Sequence, residues 1–319
     1  MKNPRNSASK RGFTLMELMV AMAITTIIVT VLVSITSIAL DTWNRSRSEL
    51  RASRQAKSMI DSMARDFESL VVRRGNTNEW LSAISSAEPV GDSIQSTNSS
   101  EFIFFTAVTD RYDGAVAGPD QIAGNADDPP GGDVSCVAYK LDFRDPISPT
   151  GTDFKTFVVN RLLINPDETF EDLLGKDDLS QAFQPKESTL SDPENFICEN
   201  VFQFSVTFNV QVTQVSGAGA SATTTVVNVP VTIGDNSSKN STKKFKLSGL
   251  GINAEISGGT VTPAELASGR ITSVDIAVTV ISDFGIDGLN RRTFNATQKA
   301  DFLAKNSYEY TKTVQIPSM

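Results

Sequence analysis

The hydrophobic pattern divides the chain into three stretches of different character. Leu18 to Leu40 is a run of 23 residues without a charge, mostly Leu, Ile, Val, Met and Ala. At about 1.5 Å per residue, a helix of that length crosses a hydrocarbon layer of roughly 30 Å. Its threonines and serines can return their hydroxyls to the preceding turn. Past Leu40 the apolar positions thin to a stripe of Trp43, Leu50, Ala56, Met59, Met63, Phe67 and Leu70 at helical spacing. Charged residues fill most of the remainder, and Asp61 with Arg65 makes an i,i+4 pair. No Gly or Pro lies between Phe13 and Arg74, and Gly75 supplies the first stop. One helix of roughly 55 to 60 residues is predicted, lipid-facing first and core-packing afterwards.

The third stretch alternates with period two. Glu101–Val108, Val134–Phe143, Phe154–Ile164, Asn200–Val212, Thr223–Ile233, Ser273–Ser282 and Tyr308–Ile316 read as strands. In the clearest, Phe202, Phe204, Val206, Phe208, Val210 and Val212 face one way while Ser205, Thr207, Asn209 and Gln211 face the other. That is a half-solvated antiparallel strand. Thr262-Pro-Ala-Glu265 matches a capping box and predicts a short helix over 263–267. Thr297–Lys305 predicts another. Residues 110–133 are too rich in Gly, Pro and Asp for a regular element.

Charge sharpens the picture at the N-terminus. Residues 1–12 hold Lys2, Arg5, Lys10 and Arg11 and no acid, leaving 25 basic and 37 acidic side chains elsewhere, a formal balance of −12. Such a body repels nucleic-acid phosphates, so no nucleic-acid partner is expected, and contact with a lipid bilayer falls to the N-terminal segment. Glu17 stands inside the apolar opening, where an ionised carboxylate is costly unless paired or neutralised. A removable secretory signal fits poorly, because the run exceeds the usual core of about 7 to 15 residues and Glu17 interrupts it. Flanking charge leaves orientation open, since Arg45, Arg47, Arg51, Arg54 and Lys57 oppose Asp41 and Glu49 on the far side.

Lys10-Arg11-Gly12-Phe13-Thr14-Leu15-Met16-Glu17 resembles the N-terminal cleavage and methylation motif of type IV prepilins and type II secretion pseudopilins. The resemblance implies cleavage between Gly12 and Phe13 by a prepilin peptidase on the cytoplasmic side, followed by N-methylation of Phe13. Glu17 would then sit fifth in the mature chain, where the family carries its glutamate, and topology would follow. Physically, Gly12 lets an extended backbone enter a protease cleft. Cutting there creates a cation at the tip of an apolar helix, and Glu17 lies where the backbone dipole favours negative charge. The Glu17 carboxylate of one subunit can meet the Phe13 ammonium of a neighbour, which makes it a register device for assembly.

The implied fold is α+β, a type IV pilin-like lollipop with a long N-terminal transmembrane helix packed on an antiparallel β-sheet body carrying loop insertions. Its expected parts are a cleaved leader (1–12), a transmembrane helix (13–40), an exported continuation of that helix (41–74) and a β-rich globular domain (75–319). The body also resembles the J component, a larger minor pseudopilin of type II secretion, through Phe196–Phe208 and Ile271–Ser282. It is more closely similar to the prepilin-like Verru_Chthon cassette protein C group of Verrucomicrobia and their relatives, through Asp41–Ser48 and Met59–Asp66.

Catalytic chemistry finds no foothold. The chain has no histidine, which removes Ser-His and Cys-His arrangements. No phosphate-binding loop is present, and Asp127-Asp128 and Asp177-Asp178 are merely adjacent. The carboxylates of 110–133 could hold calcium but lack helix–loop–helix spacing. No other cofactor is implied. Export and an even cysteine count make a Cys136–Cys198 disulfide the expected state. The expectation is a structural minor pseudopilin-like subunit, processed after Gly12 and built through its helix into a periplasmic filament. It would reside in the bacterial inner membrane, N-terminus cytoplasmic and body periplasmic. Its partners would be the prepilin peptidase/N-methyltransferase, sister pseudopilins or pilins, and the inner-membrane assembly platform. A minor type IV pilus subunit for adhesion or DNA uptake, or a single-span exported binding protein without a filament, are the alternatives.

Overall fold

The computed structural model describes residues 14–91, 98–107, 133–148, 155–216, 223–235, 243–255 and 261–316. It divides after Ser48 into two compact units. The first is the opening part of helix α1, which runs from Leu15 to Glu68. Thr14 to Arg47 is exposed throughout. Its hydroxyls do turn back on the helix: Thr25, Thr26, Thr30 and Thr36 each donate to the carbonyl four residues earlier at 2.8 Å, and Ser34 does so at 2.9 Å. These five polar side chains of the uncharged run are thereby satisfied within the helix, as a lipid-facing surface requires.

In the second unit α1 buries Ala52, Ala56, Met59, Ile60, Met63, Ala64 and Phe67. The small alanines let the helix lie close to its neighbours while Met and Phe fill the space between. The expected stripe holds from Ala56 to Phe67 but not before it, since Trp43 and Leu50 are 60% and 55% exposed. The helix also stops earlier than its composition predicts. At Ser69–Val71 a neighbouring strand captures the backbone: the Ser69 carbonyl accepts from the Ala107 N–H, and the Val71 N–H donates to the Phe105 carbonyl, both at 2.9 Å.

Eleven strands follow among the described residues: β1 (Glu79–Pro89), β2 (Asn98–Thr106), β3 (Ser135–Arg144), β4 (Thr156–Ile164), β5 (Phe196–Glu199), β6 (Val201–Ser216), β7 (Thr223–Ile233), β8 (Lys243–Ser248), β9 (Gly251–Ala254), β10 (Arg270–Ile281) and β11 (Ser307–Gln315). They form two antiparallel sheets, ordered β5-β4-β3-β2-β1-β8-β9 and β11-β10-β6-β7. The fold is thus α+β, with a long apolar helix followed by an antiparallel β body, although the body has two sheets. Asn200 marks the crossing from one sheet to the other. It sits between β5 and β6 at φ 60°, a left-handed corner that Asn tolerates better than most residues.

The inner core joins α1 to both sheets. The Phe67 ring stacks on Phe104 of β2 at 4.2 Å and meets Phe208 of β6 edge-on at 6.1 Å. Phe208 in turn stacks on Phe245 of β8. A second core covers the outer face of the seven-stranded sheet. There Trp80, Phe105, Cys136 and Leu162 are capped by Leu173, Leu179, Phe183 and Leu190. Those last residues come from a string of short turns containing helices α2 (Pro166–Glu168), α3 (Leu179–Phe183) and α4 (Glu187–Leu190), which the sequence pattern did not predict. Helix α5 (Pro263–Ala267) has the expected reciprocal capping box between Thr262 and Glu265. Helix α7 (Ala296–Asn306) also matches its expected position, and α6 (Asp283–Arg291) precedes it.

Candidate functional site

Glu17 lies in the first turn of α1, and its carboxylate folds back onto the helix start. Thr14 donates its backbone N–H to Oε2 at 2.9 Å and its hydroxyl to the same oxygen at 3.0 Å. The Glu17 N–H donates to the Thr14 hydroxyl at 3.2 Å. This is a capping box of the T-x-x-E kind, legible in Thr14-Leu-Met-Glu17 though not among the readings above. Among the described residues, both bonds donated to the carboxylate land on one oxygen, Oε2. Gly12 and Phe13 lie outside the described residues.

At the other end of the uncharged run stands Trp43, with the Arg47 guanidinium 5.7 Å from its ring centre. An exposed indole with a cation above it suits a membrane–water boundary, where the amphipathic ring bridges apolar and polar surroundings. Trp43 therefore belongs to the exposed helix and makes no part of the packing stripe.

Asp66 is the polar exception within that stripe. It is 1% exposed and faces Arg161 of β4 and Tyr139 of β3. Arg161 donates Nε to Oδ2 at 2.9 Å and Nη2 to Oδ1 at 3.0 Å, while the Tyr139 hydroxyl donates to Oδ2. The Asp66 carbonyl accepts from Thr106. Burial, reinforced by the Asp66 charge, pushes the Tyr139 phenol well above its ordinary value, so it stays a donor. The constellation bolts the helix to the sheet. Asp61, by contrast, takes Lys312 of β11 as its partner at 2.8 Å rather than Arg65.

The expected Cys136–Cys198 disulfide is not formed; both thiols are free and buried. Cys136 points into the outer core and Cys198 into the inner one, on opposite faces of one sheet. Strand β4 stands between them, pairing Ile164 with Cys136 and Val159 with Cys198. That register separates them by about 16 Å along the strand, whereas a bridge needs Cα atoms within roughly 7 Å. Burial pushes the Cys198 thiol up to about 12 and the Cys136 thiol higher still.

Asp177 accepts from Thr77, and Asp178 caps α3 through the Gln181 N–H at 3.0 Å while contacting Lys246 at 3.2 Å. Both are thus taken up by local structure. Asp127-Asp128 and nearly all of the Asp/Gly-rich loop considered for calcium lie outside the described residues. Among the described residues no group of three or more His, Cys, Asp or Glu side chains is placed to hold a metal ion.

Residues 7–33 match the family model described as the prokaryotic N-terminal methylation motif. The match spans Gly12, Phe13, Thr14, Glu17 and the first part of the uncharged run. The cassette-protein likeness at Asp41–Ser48 and Met59–Asp66 lies beyond it. No curated protein and no solved structure matches the chain.

Proposed function

Starting from a chain that carries the prokaryotic N-terminal methylation motif, we propose that it is a structural, minor pseudopilin-like subunit of a type II secretion-like filament. A prepilin peptidase cuts after Gly12, the Phe13 amine is methylated, and the helix from Phe13 onward anchors the subunit in the inner membrane. The body, residues 75–319, is exported. Assembly proceeds through the helix, by contact with sister subunits and the membrane platform.

One observation carries this reading: a carboxylate held in the first turn of an exposed, uncharged helix, inside the matched motif. Glu17 is held by Thr14 through Oε2, so Oε1 can receive the Phe13 ammonium of an adjoining subunit. In a bundle of apolar helices that contact satisfies both charges, and an axial slip strands both. The same first turn also sets the positive end of the helix dipole beside the carboxylate. Nothing in this scheme asks the subunit to perform catalysis, because the chemistry belongs to the peptidase that processes it.

The test is Glu17→Ala. The variant is expected to be processed at Gly12 yet recovered from sheared filaments at a small fraction of the parental amount. Equal recovery would remove the pairing from the scheme. Processed protein that never sediments with filaments in either form would favour a single-span binding protein.

A further inference from the structure

We propose that the α6–α7 hairpin is a lipid-contacting foot of the β body, resting on anionic phospholipid headgroups; this depends on α1 being a membrane span.

Its location comes from the body's own contacts. The body unit begins at Glu49. Arg51 pairs with Glu199, and Gln55 reaches the same carboxylate at 3.5 Å. The next residue, Asn200, donates to Asp283, the first residue of α6, and its carbonyl accepts from the Ile281 N–H at 2.9 Å. Strand β11 leads away from α7, and along it Lys312 bonds to Asp61 of α1. The hairpin therefore lies at the end of the body where the chain enters. From Leu40 to Glu49 is nine residues, about 14 Å of helix and at most about 32 Å of fully extended chain. Whatever the pose of the body, that end is tethered near the bilayer.

The hairpin's surface suits such a place. Phe284, in the first turn of α6, is 52% exposed, whereas Leu289 on the same helix is buried. Arg291, Arg292 and Lys305 are exposed as well. Across the α6–α7 hairpin, Arg291, Arg292, Lys299 and Lys305 stand against Asp283, Asp287 and Asp301, a formal balance of +1 on a body whose formal charge is strongly negative, with Asp283 engaged by Asn200 and Asp287 by Arg291. The part of α1 within the body unit adds exposed Arg54 and Lys57. An exposed aromatic on an element that also presents cations is the composition of an interfacial anchor. The hairpin is also stiff. The Phe294 and Phe302 rings pack at 4.9 Å, Gly288 leaves room for Phe302, and the Ser282 N–H ties to the Asn306 carbonyl at 3.0 Å.

The experiment uses the full chain carrying Phe284→Cys, spin-labelled and reconstituted at one copy per lipid nanodisc. Both native thiols are buried, so the label goes to the introduced cysteine. Leu250→Cys, 70% exposed on the turn between β8 and β9, is the control. In discs of mixed phosphatidylglycerol and phosphatidylcholine, the ratio of oxygen to nickel-chelate collisions should be several-fold higher at 284 than at 250. Arg291→Glu with Arg292→Glu should lower it towards the control. Equal ratios at the two sites would overturn the foot, as would protection seen only with several copies per disc, which would indicate a sister-subunit contact. Undiminished protection in phosphatidylcholine alone would overturn the anionic headgroup. A chain that fails to enter the discs at all would overturn the span beneath both, and co-elution with the disc distinguishes that failure from the others.

Discussion

Asp66 on α1 and Arg161 on β4, 95 positions apart, form a two-pronged ion pair whose side chains are 1% and 8% exposed. Removing either partner leaves a buried charge without compensation. Asp66→Ala is expected to destabilise the body by about 3–5 kcal/mol in urea unfolding, and Arg161→Ala similarly. Asp66→Leu combined with Arg161→Met should cost less than either single change, because an apolar pair strands no charge. Additive losses would mean that the two residues do not act together.

The thiols give a second expectation. Iodoacetamide should leave Cys136 and Cys198 unmodified in the native protein and alkylate both after unfolding, with a non-reducing mass showing two free thiols. The unfolded chain releases these protons near the ordinary thiol value of 9.0, while the folded chain keeps them to about 12 or beyond. Stability should be unaffected by these groups below about pH 9 and should fall as pH rises from there towards 12. A disulfide in the native mass would contradict the placement of the two cysteines on opposite faces.

Capping and pairing by Glu17 can be separated with Glu17→Gln. Its amide oxygen can still accept from Thr14, so the helix start should be retained. Its lost charge should nevertheless lower filament incorporation to nearly the level of Glu17→Ala. Normal incorporation would mean that the cap alone is what assembly requires.

Much of this architecture is legible in the sequence because it follows from periodicity. The uncharged run, the stripe from Ala56 to Phe67, β6 and the Thr262–Glu265 cap were readable for that reason. Strand β1 was not, since Glu-Trp-Leu-Ser-Ala-Ile-Ser-Ser-Ala-Glu-Pro is poor in β-branched residues and is held by β2 and β8 on its two sides. The Lys-rich β8 likewise draws its conformation from pairing rather than propensity. Trp43 was misplaced because helical spacing does not reveal which neighbours a helix meets. At the candidate site, Gly12, Phe13 and Glu17 stand out through their motif, while the Thr14 cap needed the T-x-x-E pattern to be noticed. The Asp66 bolt did have a signal: one acid within an apolar stripe and one arginine within Phe157–Ile164.

Processing makes the next expectation. Gly12→Ala places a methyl group beside the scissile bond and should leave the chain uncut, with its basic leader retained in the membrane fraction and no filament incorporation. Normal maturation of the variant would show that Gly12 is not required at the cut.

The native N-terminus is the most direct measurement of all. Intact mass and N-terminal sequencing of the protein from its own membranes should find N-methylphenylalanine at Phe13, followed by Thr14. A chain beginning at Met1, leader intact, would leave no Phe13 ammonium for Glu17 to meet and would contradict the assignment to a pilin-type filament.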